Sequence, residues 1–324
     1  MRKSYTLIAL LLTFSSFAQV QLGSDIDGEA AGDQSGSTVS LSSDGTILAI
    51  GASFNDGTGT DAGHVRVYEN SNGSWSQLGA DIDGEAAGDW SGYSVSLSSN
   101  GTILAIGALS NSSTGKAYAG HVRVYEYSSG SWSQLGADID GEASGDGLGS
   151  SVSMSADGTI VAIGASANDG TATDAGHVRI YEYSSGSWSQ LGADIDGEAG
   201  YDASGFAVSL SSDGTIVAIG AHGNDDNGTD AGHVRVYEYS SGIWSQLGAD
   251  IDGEAAGDFS GYSNSISLSS DGTILAIGAM NNGLLSAGHV RIYKYISGSW
   301  SQLGADIDGE ANGDYSGYGV SLSS

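Results

Sequence analysis

The 324-residue chain contains neither cysteine nor proline. Without cysteine it can form no disulfide, so stability has to come from packing and strand pairing. Basic residues are also scarce, at 9 Lys and Arg against 39 Asp and Glu, for a net charge of −30. Such a field repels nucleic acid and anionic membrane surfaces, and favours cations, basic partners or plain solubility. Long apolar runs are missing as well. The one short run, Leu7 to Leu12, follows Arg2 and Lys3 and precedes Ser16-Phe17-Ala18. That layout predicts a secretory signal peptide over 1–18, with a mature chain from Gln19 that has no membrane span. Its removal takes the 9 basic residues to 7.

What is abundant is glycine, at 53 residues, and repetition. Gln-Leu-Gly recurs from Gln21, Gln77, Gln134, Gln190, Gln246 and Gln302, and Gly-His-Val recurs around His64, His121, His177, His233 and His289. The period is about 56 residues and covers 19–324 almost without interruption. A period of this size means a stacked or radial repeat architecture.

Each copy predicts four short strands. In the second copy they are 93–99, 102–108, 121–127 and 131 to about 139. Val95 and Leu97 alternate with serines, the period-two pattern of a strand. Ile103 to Ile106 are apolar in succession, which predicts a strand covered on both faces. Asp-Gly or Asn-Gly separates the first two strands (Asp44-Gly45, Asn100-Gly101, Asp157-Gly158), and Asn-Gly or Ser-Gly the last two (Asn72-Gly73, Ser129-Gly130). These are tight hairpin signals. The other two connections run to about ten residues. The fold class is therefore all-β, a β-propeller of four-stranded antiparallel blades, with a parallel β-helix as the rival. Five complete blades and a partial one are expected, the chain ending mid-repeat. Both tight turns fall at one rim and both long loops at the other, where a binding surface belongs.

Asp89-Trp90-Ser91-Gly92-Tyr93-Ser94-Val95-Ser96-Leu97, then Ile106-Gly107-Ala108, then Gly120-His121-Val122-Arg123-Val124-Tyr125, resemble the FG-GAP repeats of integrin α-subunit propellers and bacterial surface proteins. Ser91-Gly92 stands for the family's Phe-Gly, and Leu148-Gly149 replaces Ser-Gly in one copy. The resemblance implies a six- or seven-bladed parent and a role in adhesion. It also implies a calcium loop in the first hairpin, but only Asp-Gly is present there, too short to wrap an ion. Another acidic stretch offers candidate metal ligands: Asp81, Asp83, Glu85 and Asp89, repeated as Asp138, Asp140, Glu142 and Asp146. Alternate carboxylates can converge on Ca2+ if the chain turns at the intervening glycine; the alternative is a solvated strand edge. The loops 55–61, 168–174 and 224–230 are a second candidate surface, explained equally by turn chemistry.

A catalytic role is not expected from the sequence. The strand-three histidines recur five times, whereas a general base is needed once. His222 is singular but has no Ser or Cys nucleophile motif beside it. Ser-Ser-Asp-Gly-Thr is similar to the Asp-box of sialidases, yet no Trp follows the Thr. The expectation is a secreted or cell-surface binding module whose ligand is an extracellular protein or glycan. A ligand-free spacer and a secreted hydrolase are the alternatives.

Overall fold

The computed structural model describes residues 21–112 and 115–323. The expected leader at 1–18 lies outside them. In the first full repeat, β1 (Thr38–Leu41), β2 (Ile47–Ala52), β3 (His64–Ser71) and β4 (Ser74–Gln77) form an antiparallel meander, and β5 (Ile82–Asp83) returns to pair with the start of β3. Four more sheets among the described residues repeat this order. Ile103–Ala108, the equivalent of β2, is buried along its whole length, as its unbroken apolar run requires.

The alternation within that strand explains why sheets stack. Ile103 and Ala105 point to the third sheet, where they meet Leu148, Val161 and Ile163. Leu104 and Ile106 point to the first, against Ile47, Val65 and Val67. The same exchange joins the third sheet to the fourth and the fourth to the fifth. The core thus lies between sheets, and the propeller architecture is confirmed.

The fourth strand departs from a single run. Its two pieces are separated because a glycine at positive φ, Gly79 at 83° and Gly136 at 82°, breaks the pleat. Trp132 Nε1 donates to Leu78 O at 2.8 Å and Trp188 Nε1 to Leu135 O at 2.8 Å, so each break turns a carbonyl to the next sheet. A Cβ on Gly79 would lie 2.8 Å from the Trp132 ring. A side chain at this positive φ would be strained and would have to displace that ring.

The inner strands are tied by serine. Ser40 Oγ accepts from Leu97 N at 2.9 Å, Ser96 Oγ from Met154 N at 3.0 Å, and Ser153 Oγ from Leu210 N at 2.9 Å. These strands surround an axial cavity of about 760 Å³, lined by residues from all five sheets and by 318–321. Val39, Val95, Val152, Val208, Ile266 and Val320 contribute one branched aliphatic each. Among the described residues no helix is long and apolar enough to cross a membrane.

Candidate functional site

Strand direction places the two-to-three loops and the four-to-one loops at one rim, with the tight turns opposite. At the long-loop rim the copies stop being alike. The residue before Ser-Gly, or before Leu148-Gly149, is Gln34, Trp90, Gly147, Ala203, Phe259 and Tyr315 in turn. Every one has positive φ, from 52° at Tyr315 to 63° at Gly147. A side chain in that conformation costs about 1–2 kcal/mol. The residue after that pair varies too: Ser37, Tyr93, Ser150, Phe206, Tyr262 and Tyr318.

Six of these positions, Gln34, Ser37, Tyr93, Ser150, Phe206 and Tyr318, line the axial cavity. Tyr93, Phe206, Tyr318 and Phe54 line it beside Ser37, Ser53, Ser150 and Ser151. The Phe54 and Trp90 rings meet edge-on at 5.1 Å. Phe206 packs on His222 at 4.7 Å and on Tyr262 at 4.9 Å. His222 Nδ1 has no hydrogen-bond partner, and burial pulls the imidazole down to about 4, with Asp230 opposing. His222 is therefore neutral at physiological pH. The arrangement offers apolar ring faces and hydroxyls to a ligand entering along the axis. Periodicity could not single out this mouth, but the divergence around Ser-Gly within an otherwise uniform repeat could have.

The acidic stretches expected to converge are drawn apart. Asp81 stays with its own sheet, its Oδ1 accepting from Gln77 at 2.5 Å and its Oδ2 4.0 Å from His64 Nδ1. Glu85 crosses to the next sheet, with Oε2 3.9 Å from His121 Nδ1 and Oε1 3.8 Å from Arg123. Between them the chain turns at Gly84, where a Cβ would lie 2.0 Å from Ala62 O. That turn separates the carboxylates. Asp138 and Glu142 repeat the split: Asp138 joins Glu85 and His121, whereas Glu142 joins His177 and Asp194.

Asp83 and Asp140 act through the main chain. Arg123 Nη2 donates to Asp83 O at 2.7 Å and Arg179 Nη2 to Asp140 O at 3.0 Å. Asp89 and Asp146 are buried in loop staples. Asp89 Oδ2 accepts from Ala86 N at 2.9 Å and Asn111 Nδ2 at 3.0 Å, and Asp146 Oδ2 from Ala143 N at 2.9 Å and Asn168 Nδ2 at 3.1 Å. Each arginine also lies over a tyrosine two residues on, Arg123 at 5.5 Å from the Tyr125 centroid.

No family model matches the sequence, and no curated protein matches it. Among solved structures, the chain is similar to a Bacteroides uniformis protein provisionally named a 6-phosphogluconolactonase. That match has a TM-score of 0.55 and 14% identity, covering 84% of this chain and 71% of that one. A Bacteroides fragilis protein of the same provisional name gives 0.54 and 16%, covering 86% and 72%. The hydrazine synthase of Kuenenia stuttgartiensis gives 0.52 and 12%, covering 88% and 69%. At these identities the likeness shows the fold alone.

Two expectations are corrected by these findings. The FG-GAP resemblance fails, because no family model matches and the similar structures are propellers of the lactonase-like kind. The expectation of a non-enzyme falls as well, since propellers similar to this chain are named for a hydrolytic activity. The near-identity of the copies excludes little when the cavity mouth is the place where they differ.

Proposed function

We propose that the protein is an extracellular recognition propeller that takes a glycan at the aromatic mouth of its axial cavity. One observation carries this reading: side chains diverge around the mouth while the supporting sheets repeat. Rigid sheets holding varied loops are the general design of a binding surface. Tyr93, Phe206 and Tyr318 supply faces for the C–H side of a sugar ring, and the neighbouring serines supply hydroxyl partners. The net charge of −30 disfavours acidic glycans and selects neutral or amino sugars. The apolar run behind Arg2 and Lys3 supports an extracellular address.

The test is a glycan array probed with the full chain, followed by calorimetry on the best ligand. Tyr93→Ala combined with Tyr318→Ala should weaken binding about tenfold or more, each ring contact being worth roughly 0.5–1.5 kcal/mol. Undiminished affinity in that variant, or an array without a neutral or amino-sugar ligand, would sink the reading.

A second reading is hydrolysis of an uncharged sugar ester or lactone at the same mouth. It draws on the names of the similar proteins and on His222, a neutral imidazole in contact with a cavity-lining ring. Turnover on a lactone and ester panel, abolished by His222→Phe, would establish it.

A further inference from the structure

Each sheet carries a second polar group, away from the mouth. A glutamate from the preceding repeat, the histidine that opens the third strand and the aspartate before the last short strand come together: Glu29, His64 and Asp81 on the first sheet, and Glu254, His289 and Asp306 on the fifth. The ring nitrogens stand 3.7–4.0 Å from the carboxylate oxygens, His64 Nδ1 at 3.8 Å from Glu29 and 4.0 Å from Asp81, and His289 Nδ1 at 3.7 Å from Glu254 and 3.9 Å from Asp306. These gaps are too long for hydrogen bonds. On three of the sheets the nitrogen has no other partner: Nδ1 of His121, His233 and His289 is buried and unbonded. The histidines themselves are fully enclosed, His233 at 0% exposure. A buried imidazole nitrogen without a partner is rare in folded proteins and asks for a missing ligand.

The fourth sheet goes further. Its group has four members, Glu198, Asp226, His233 and Asp250, whose ligand atoms all lie within 4.8 Å of one another. Asp226 occupies the position held by Gly57 and Gly170 in the first and third copies. We propose that Glu198, Asp226, His233 and Asp250 bind one divalent transition-metal ion of the zinc class, and that the three-ligand groups on the other sheets bind the same ion more weakly.

Geometry and donor chemistry both support the assignment. Ligands at 2.0–2.1 Å from a tetrahedral zinc are roughly 3.3–3.4 Å apart, so the His233–Glu198 pair at 3.9 Å need close by about half an ångström and the widest pair, within 4.8 Å, by about 1.4 Å at most. A set containing imidazole suits zinc better than calcium, which takes six to eight oxygens. Of the three carboxylates, Glu198 is paired with a cation, Arg235 Nη1 standing 3.4 Å from its Oε1. That leaves Glu198 Oε2, 3.9 Å from His233 Nδ1, to face the ion. Glu198 is exposed at its outer edge, which gives the ion a way in from solvent. Because Glu198 comes from the preceding repeat, the ion would pin one blade to the next.

The experiment uses the untagged full chain, stripped with a chelator, and titrates Zn2+ and Ca2+ separately by calorimetry, with bound metal counted by mass spectrometry. At least one Zn2+ per chain should bind at micromolar concentration or tighter, with Ca2+ at least tenfold weaker. Asp226→Gly, which restores the residue of two sister copies and so keeps the fold, should weaken the tightest class tenfold or more. His233→Gln should abolish that class while leaving the zinc-free far-UV circular dichroism unchanged. Sub-stoichiometric Zn2+ in the unaltered chain, or equal zinc affinity in the Asp226→Gly chain, would overturn the proposal.

Discussion

The two rims of the ring are built on opposite plans. At the tight-turn rim every copy solves the same problem in the same way. Asp157 Oδ1 accepts from Ser155 Oγ at 2.7 Å, Thr159 N at 3.0 Å and Thr159 Oγ1 at 2.8 Å, and Asp213 repeats the arrangement with Ser211 and Thr215. The turns are also joined from blade to blade, as where Ser99 N donates to Ala156 O at 2.9 Å. At the long-loop rim the backbone is held as firmly, with Ser91 N donating to Ala62 O at 2.9 Å, but the side chains around it differ. A repeat can therefore keep its hydrogen bonds in the main chain and free its side chains for recognition. One rim conserves energy of folding; the other displays chemistry.

The largest expected effect lies on the displaying rim. Burial keeps His222 neutral in the folded protein, down to about 4, whereas the unfolded chain takes up a proton near pH 6.5. Stability should then fall as pH drops from about 6.5 towards 4, by roughly 2 kcal/mol after allowance for its partial exposure. His222→Phe should remove that part of the slope, read from urea midpoints at pH 7 and 4.5. An unchanged slope would mean that the aromatic nest does not exclude the charged ring.

On the uniform rim, Asp157→Ala should cost about 1–2 kcal/mol through the lost turn bonds. Burial raises the Asp157 carboxyl, but the Thr159 amide and the two hydroxyls outweigh it and hold the group below its usual range. Its stabilisation is thus present above about pH 4 and disappears as pH falls through the depressed value. Acid unfolding of the variant should accordingly be shallower. The smallest effect is expected from Trp90→Gly. Release of the left-handed backbone, about 1 kcal/mol, should nearly offset the lost Phe54 contact of similar size. The thermal midpoint should hardly move while glycan affinity falls through the loosened Phe54, the cavity-lining ring that Trp90 braces. A large drop in the midpoint would make Trp90 a packing residue of the scaffold and blur the contrast between rims.

Much of the scaffold was legible in the sequence. The Asp-Gly and Ser-Gly corners located the hairpins, and the Ile-Leu-Ala-Ile run announced a strand with a neighbour on each side. The break at Gly79 and Gly136 was not legible, because its cause is a tryptophan in the following repeat. The metal candidates fared unevenly for the same reason. Asp89 and Asp146 looked like the ends of an acidic stretch, yet their partners, Asn111 and Asn168, sit 22 residues away across a loop. Asp226 lies in the 224–230 loop, a candidate surface that turn chemistry explains equally, and nothing local marks it as facing His233.

The repeat, its strands and turns, and the rim that carries the long loops can all be read from the order of residues, because each depends on neighbours along one chain segment. It takes the folded arrangement to bring Glu85 to His121 while Asp81 stays with His64, and to gather divergent rings at one mouth. Those contacts depend on how one twisted sheet is set against the next, a geometry imposed by packing between repeats.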